Sequence, residues 1–143
     1  MTLCALESRQ PAIGTGPVVL VVEDHADTRA MYVEFLSTQF RIEQAATATE
    51  ALAIATTSPP DLIITDLSLP GMDGFELIHR FREQPALRGV AVICLSGYGG
   101  YAHEQRAREC GADRILLKPC LPDDLIRHVR QVMRERGVAG PQR

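Results

Sequence analysis

The sequence predicts an α/β domain built on a doubly wound, five-stranded parallel sheet with helices on both faces, and three observations carry that prediction. Short apolar runs of strand length occur at Val18 to Val22, Leu62 to Thr65, Val90 to Leu95 and Arg114 to Leu117, and they are nearly continuous rather than alternating. A strand covered on both faces has no solvent side, so its apolar pattern fills in, as in parallel sheets. Helical patterns occupy the gaps, and strand and helix alternate five times once the less regular run from Phe40 to Ala45 is counted as an edge strand. Right-handed crossovers then place helices on both faces.

Each element has its own local warrant. The first run ends in Glu23 and Asp24 and leads into a helix over 26 to 39, where Ala30, Val33 and Leu36 recur at spacings of three. After the edge strand, Thr47 and Glu50 have the spacing of a capping box, in which the first side chain accepts from a free backbone N–H and the carboxylate reaches back. Asp73 and Glu76 repeat that spacing after the run that ends before Asp66, with Met72 and Leu77 placed for a hydrophobic staple. The helix over 99 to 110 is expected to be the most mobile, because Gly99 and Gly100 precede it and only Ala102, Ala107 and Cys110 are core candidates. In the last helix, 122 to 136, Pro122 fixes the first φ, Asp123 and Asp124 suit the positive end of the helix dipole, and Leu125, Val129, Val132 and Met133 form one apolar stripe.

A chain of 143 residues that is 45% hydrophobic can bury one substantial core, so a single domain is expected over 17–136, with loose tails at 1–16 and 137–143. The net charge of −3 argues against non-specific binding to nucleic acid or anionic lipid. Cys4, Cys94, Cys110 and Cys120 form no C-x-x-C pair and lie at no metal-site spacing from a histidine, which points to reduced cysteines and away from zinc. No apolar stretch has the length of a membrane span and the N-terminus lacks the order of a signal peptide, so a cytoplasmic location is expected.

The polar residues at the carboxyl ends of the apolar runs form one set: Glu23 and Asp24 after the first, Asp66 after the third, Ser96 after the fourth and Lys118 after the fifth. In a doubly wound sheet these ends share a rim, where such folds bind ligands. Three facing carboxylates repel one another unless a cation intervenes, and Lys118 and a divalent metal could both serve. An all-oxygen donor set suits Mg²⁺, with Mn²⁺ as an alternative, far better than zinc. Asp24 and Asp66 are the expected direct ligands, and Glu23 acts either through a metal-bound water or as a further ligand. Any one of these residues alone could be a loop acid, a helix cap or a turn; their convergence on one rim is what points to a site.

From Pro17 to Arg136 the chain resembles the response-regulator receiver family of two-component signalling. The matching segments are VVLVVED with Glu23 and Asp24, DLIITDLSLPGMDG with Asp66, Pro70, Gly71 and Gly74, VICLSGYG with Ser96, and ILLKP with Lys118 and Pro119. The resemblance implies a flavodoxin-like sheet of strand order 2-1-3-4-5. It further implies that Asp66 is the phosphoacceptor, Glu23 and Asp24 the acidic pocket, the main-chain carbonyl of Ser68 a third protein ligand to the metal, and Lys118 the lysine that bridges the acceptor. Ser96 resembles the hydroxyl residue that bonds a phosphoryl oxygen, and the Lys118–Pro119 bond is expected to be cis, as is typical of the family.

The implied function is a phosphoacceptor signalling domain rather than an enzyme, one that assists its own phosphorylation and dephosphorylation. Its phosphoryl donor would be a sensor histidine kinase or a histidine phosphotransfer protein, and a phosphorylation-dependent dimer is a further arrangement that the resemblance admits. No helix-turn-helix or basic stripe is present, so output is expected through protein partners rather than nucleic acid or membrane. A whole single-domain regulator and a piece of a longer protein both fit.

One departure concerns output. The family usually carries an aromatic residue three positions before the lysine, and here that position is Ile115, with Tyr98 and Tyr101 as candidate substitutes. Rival classes fit less well. The haloacid-dehalogenase phosphohydrolases place a second Asp two residues after the first, where this chain has Ser68, and the EDHADT loop is acidic where a flavodoxin cradles phosphate. A receiver used only as a constitutive docking module would not need all five rim residues.

Overall fold

The computed structural model describes residues 16–97 and 99–137, and they form alternating strands and helices. The strands are β1 (Val18–Val22), β2 (Arg41–Ala45), β3 (Leu62–Asp66), β4 (Ala91–Ser96) and β5 (Arg114–Leu117), and the helices are α1 (Ala26–Leu36), α2 (Ala48–Thr57), α3 (Gly74–Glu83), α4 (Tyr101–Cys110) and α5 (Pro122–Arg136), with a 3₁₀ turn at Pro85–Leu87. All neighbouring strands pair in parallel in the order β2-β1-β3-β4-β5. The expectations for residues 1–15 and 138–143, and for Tyr98, lie outside the described residues.

Alternate residues of each central strand feed two separate cores. Leu20, Val22, Ile63, Val92 and Cys94 pack against α2, α3 and Ala107 of α4, whereas Val19, Val21, Leu62, Ile64, Ile93 and Leu95 pack against α1 and α5. Burial on both faces is the physical reason that β1, β3 and β4 read as unbroken apolar runs. The short edge strand β5 is only partly covered, and its last residue, Leu117, is exposed.

Local chemistry corrects several boundaries. Helix α1 stops at Leu36, three residues early, where the Ser37 and Thr38 hydroxyls donate to the carbonyls of Val33 and Phe35 and compete with the helical ladder. Strand β4 runs one residue later than its apolar pattern and takes in Ser96. At α2 the Thr47 side chain accepts from Glu50 N, but the Glu50 carboxylate reaches the N–H of Ala46, one residue beyond the cap. At α3 only half of the box forms: Asp73 accepts from Glu76 N, while the Glu76 carboxylate turns outward to Arg80 at 2.9 Å. Met72, the residue before the cap, packs partly buried against the core cluster that also contains Leu77.

Opposite the rim, the Arg82 guanidinium ties the amino ends of β4 and β5 together. Its Nη1 donates to the carbonyls of Leu87, Arg88 and Val90, and its Nε and Nη2 both donate to the carbonyl of Gly111. Gly111 closes α4 with φ near +111°, and a Cβ there would stand 2.7 Å from Arg82 Cγ. Only glycine satisfies both the left-handed cap and the close approach.

Candidate phosphoacceptor and metal site

The strand register brings the expected residues to one rim. Asp66 is the last residue of β3 and pairs with Leu95, so Ser96 stands one step further along β4, and Leu117 of β5 pairs with Ser96 to put Lys118 next. The chain is held there by its own backbone: Lys118 N donates to Ser96 O at 2.8 Å, and Leu67 N donates to Leu95 O at 3.0 Å. Lys118 is followed by a cis peptide bond to Pro119, as expected. Beyond β1, Glu23 N donates to Ala45 O, and Arg29 Nη1 donates to Glu23 O at 2.8 Å while its Nε donates to Gln44 on β2.

Asp66, Glu23 and Ser96 are almost fully buried, which for the two carboxylates is unusual and requires partners. Asp66 Oδ2 accepts from Lys118 Nζ at 2.7 Å and Asp66 Oδ1 accepts from Ser68 N at 3.0 Å, so both oxygens are engaged and the carboxylate is aimed. Lys118 Nζ also stands 3.6 Å from Glu23 Oε1, making one cation the bridge between two buried acids. Burial works against the charge on Lys118, but the hydrogen bond and charge of Asp66, with Glu23 behind it, outweigh that cost and hold the ammonium above its ordinary pKa of 10.5. The Tyr32 hydroxyl of α1 donates to Cys120 O at 3.3 Å and joins the loop after Lys118 to the first helix.

The acidic pocket has spare acceptors. Among the described residues, Glu23 Oε1 and Asp24 Oδ1 are buried oxygens that accept no hydrogen bond. Buried acceptors of that kind are rare in a finished core and fit a cation-binding role. The residues grouped closely enough to share an ion are Glu23, Asp24 and His25, whose candidate donor atoms lie within 4.8 Å of one another. Asp66 is not in that group and joins the pocket through Lys118. His25 escaped the sequence reading because it appeared as a loop residue before a helix; the contiguous Glu-Asp-His triplet was the available signal.

The expected output residues are placed less tightly. Ile115 packs, partly buried, against the core under α2, α3 and α4, so no aromatic ring occupies that position. Tyr101, the first residue of α4, is 77% exposed. On α4, His103 meets Phe75 edge-on at 5.1 Å between ring centroids, and the Arg106 guanidinium lies 4.1 Å from the Phe75 centroid. No helix among the described residues is long and apolar enough to cross a membrane.

Comparison with known proteins agrees with this geometry. Residues 19–130 match the family model described as the response regulator receiver domain. The two-component response regulator ORR5 of Oryza sativa subsp. japonica is 33% identical over 134 residues, which cover 92% of this chain and all of that protein. Sensor histidine kinase TmoS of Ectopseudomonas mendocina is 39% identical over 103 residues, covering 72% of this chain and 11% of the kinase. Among solved structures, chemotaxis response regulator CheY4 of Vibrio cholerae superposes with a TM-score of 0.79 at 31% identity, covering 82% of this chain and 99% of CheY4.

Proposed function

The chain belongs to the response regulator receiver family, and from that premise we propose that Asp66 accepts a phosphoryl group and so switches protein–protein interactions in a two-component phosphorelay. The observation that carries this reading is the 2.7 Å contact between Lys118 Nζ and Asp66 Oδ2, buried at the carboxyl rim beside Glu23 and Ser96. A carboxylate is a weak nucleophile toward an anionic phosphoryl group because like charges repel. Lys118 supplies positive charge where the incoming oxygens collect negative charge, and the Ser68 N–H fixes the carboxylate's orientation.

In the transfer, an Asp66 carboxylate oxygen forms a P–O bond while the P–N bond of a donor phosphohistidine breaks, and the electron pair returns to the donor imidazole. The histidine belongs to a sensor histidine kinase or a histidine phosphotransfer protein. Asp24, Asp66 and the main-chain carbonyl of Ser68 would hold Mg²⁺ or Mn²⁺, with Glu23 bound through water or directly. When bound, the ion offsets charge on the phosphoryl oxygens. The Ser96 hydroxyl then donates to a phosphoryl oxygen and reports its arrival. The product is an acyl phosphate, which hydrolyses readily and suits a signal that decays. Exposed Leu117 and Leu121, flanking Lys118 to Cys120, give the rim an apolar border suited to a protein partner.

Intact mass after incubation with acetyl phosphate and Mg²⁺ tests the reading. The wild type gains one phosphoryl group and Asp66→Asn gains none; undiminished labelling of the variant would sink the assignment.

A further inference from the structure

We infer that Tyr32 of α1 is a positioning residue for Lys118, its hydroxyl holding the lysine's loop through the Cys120 carbonyl so that the ammonium stays aimed at Asp66. The inference rests on the phosphoacceptor role proposed for this rim and adds a residue that the transfer itself does not touch. Tyr32 is 4% exposed and packs in one cluster with Val21 of β1, Leu95 of β4 and Leu125 of α5. Phenylalanine would fill that space without the cost of burying an oxygen, so what the hydroxyl contributes is its bond. Its partner, at 3.3 Å, is a main-chain carbonyl 88 residues along the chain and two residues past Lys118.

Lys118 needs such a hold. A lysine stem is long and flexible, and this side chain is 29% exposed, so packing fixes it only in part. On the amino side its backbone is pinned, since Lys118 N donates to Ser96 O at 2.8 Å. On the carboxyl side β5 has ended at Leu117, and the ladder of α5 starts from Leu121 O, which accepts from Leu125 N. The bond from Tyr32 to Cys120 O falls in the gap between them. Pro119, whose ring fixes φ, is the single residue between Lys118 and Cys120, so a constraint at Cys120 reaches the lysine through a stiff link. The brace also spans the rim, because α1 begins two residues after Asp24.

The charges of the rim reach the phenol. Burial raises its pKa above the ordinary 10.0; Cys120, Glu23 and Asp66 push the same way, and Lys118 pulls against them. The hydroxyl therefore stays protonated at neutral pH and donates.

Tyr32→Phe removes one oxygen and keeps the ring, so it tests the bond without opening a cavity. Phosphoryl uptake from acetyl phosphate at saturating Mg²⁺ is followed by intact mass, and Mg²⁺ affinity by titration. The Lys118 ammonium is followed by the rate at which its protons exchange with water, read from ¹H–¹⁵N spectra. The expected result is uptake slowed about three- to tenfold, the worth of one neutral hydrogen bond, with faster ammonium exchange and unchanged Mg²⁺ affinity. A hydroxyl that serves stability alone would lower the urea midpoint and leave uptake and ammonium exchange at wild-type values, and that outcome overturns the inference while leaving the phosphoacceptor reading in place. Slower uptake with an equal loss of Mg²⁺ affinity also overturns it, because the hydroxyl would then act on the acidic pocket rather than on Lys118. A wild type that gains no phosphoryl group overturns the phosphoacceptor reading and the inference with it.

Discussion

Gly74 lies directly over the backbone of the acceptor aspartate: a Cβ at this position would stand 2.7 Å from the Asp66 carbonyl oxygen and 2.6 Å from Leu67 Cα. Real Cβ atoms do not approach backbone so closely, and Gly74 N donates to Leu67 O at 2.9 Å, so the contact cannot relax without moving the acceptor strand. Gly74→Ala is therefore expected to cost about 1 to 3 kcal/mol of stability, as overpacking does. It should also slow phosphoryl uptake from acetyl phosphate. Urea unfolding and intact mass check the two effects, and a variant as stable and as reactive as the wild type would show that the close approach is unimportant.

Asp24 and Lys118 should fail differently. Asp24→Ala is expected to lose divalent ion binding and with it the metal dependence of phosphorylation. Lys118→Ala should still bind metal but lose phosphoryl uptake or its conformational consequence. Metal titration of both variants separates the roles, and equal loss of affinity in the two would show that they have been misassigned.

The Lys118 bridge has a pH signature. Its pKa is raised in the folded state, so its contribution to stability is fully present below the ordinary lysine value of 10.5 and is lost as pH rises through the higher folded value. The stability difference between wild type and Lys118→Met should stay level from neutrality up to 10.5 and shrink above it. Burial also pushes the Cys94 thiol up to about 12 from 9.0, which weakens both proteins over that interval and cancels in the difference. A difference that already falls near neutral pH would mean that another group carries the effect.

Output is expected through residues 96 to 110. Helix α4 buries only Ala107 on its own length, and the segment before it contains Gly97, Gly99 and Gly100, so its rearrangement is cheap. Hydrogen exchange with beryllofluoride and Mg²⁺ should change chiefly over this segment. Ser96→Ala should keep phosphorylation but lose the exchange change, while Ile115→Tyr should leave the pattern in place. Changes concentrated elsewhere would rule out this route.

Much of this fold is written in single segments of sequence. Val19 to Val22, Leu62 to Ile64 and Ala91 to Leu95 are buried on both faces, so an unbroken apolar run was a sufficient sign of each strand. Helix caps were half legible: Thr47 and Asp73 accept as their spacing implies, but where Glu50 and Glu76 turn depends on neighbours that no local pattern contains. Of the rim, Glu23, Asp66, Ser96 and Lys118 could be found because parallel strands align their carboxyl ends. His25 could not be found that way, since its approach to Glu23 depends on a turn. Arg82 gave no signal either, because its partners are main-chain carbonyls from separate segments.

That arginine gives α4 the mechanics of a lever. Its two hydrogen bonds to Gly111 O pin the helix's last turn to the amino ends of β4 and β5, whereas the N-cap, Gly100, has no side chain with which to bond. A helix of 10 residues is about 15 Å long, so a tilt of about 10° around that fulcrum carries Tyr101 roughly 3 Å while Cys110 hardly moves. A displacement too small to disturb the core beneath Asp66 would in this way be magnified at the surface, with its pivot set by an arginine at the far end of the sheet.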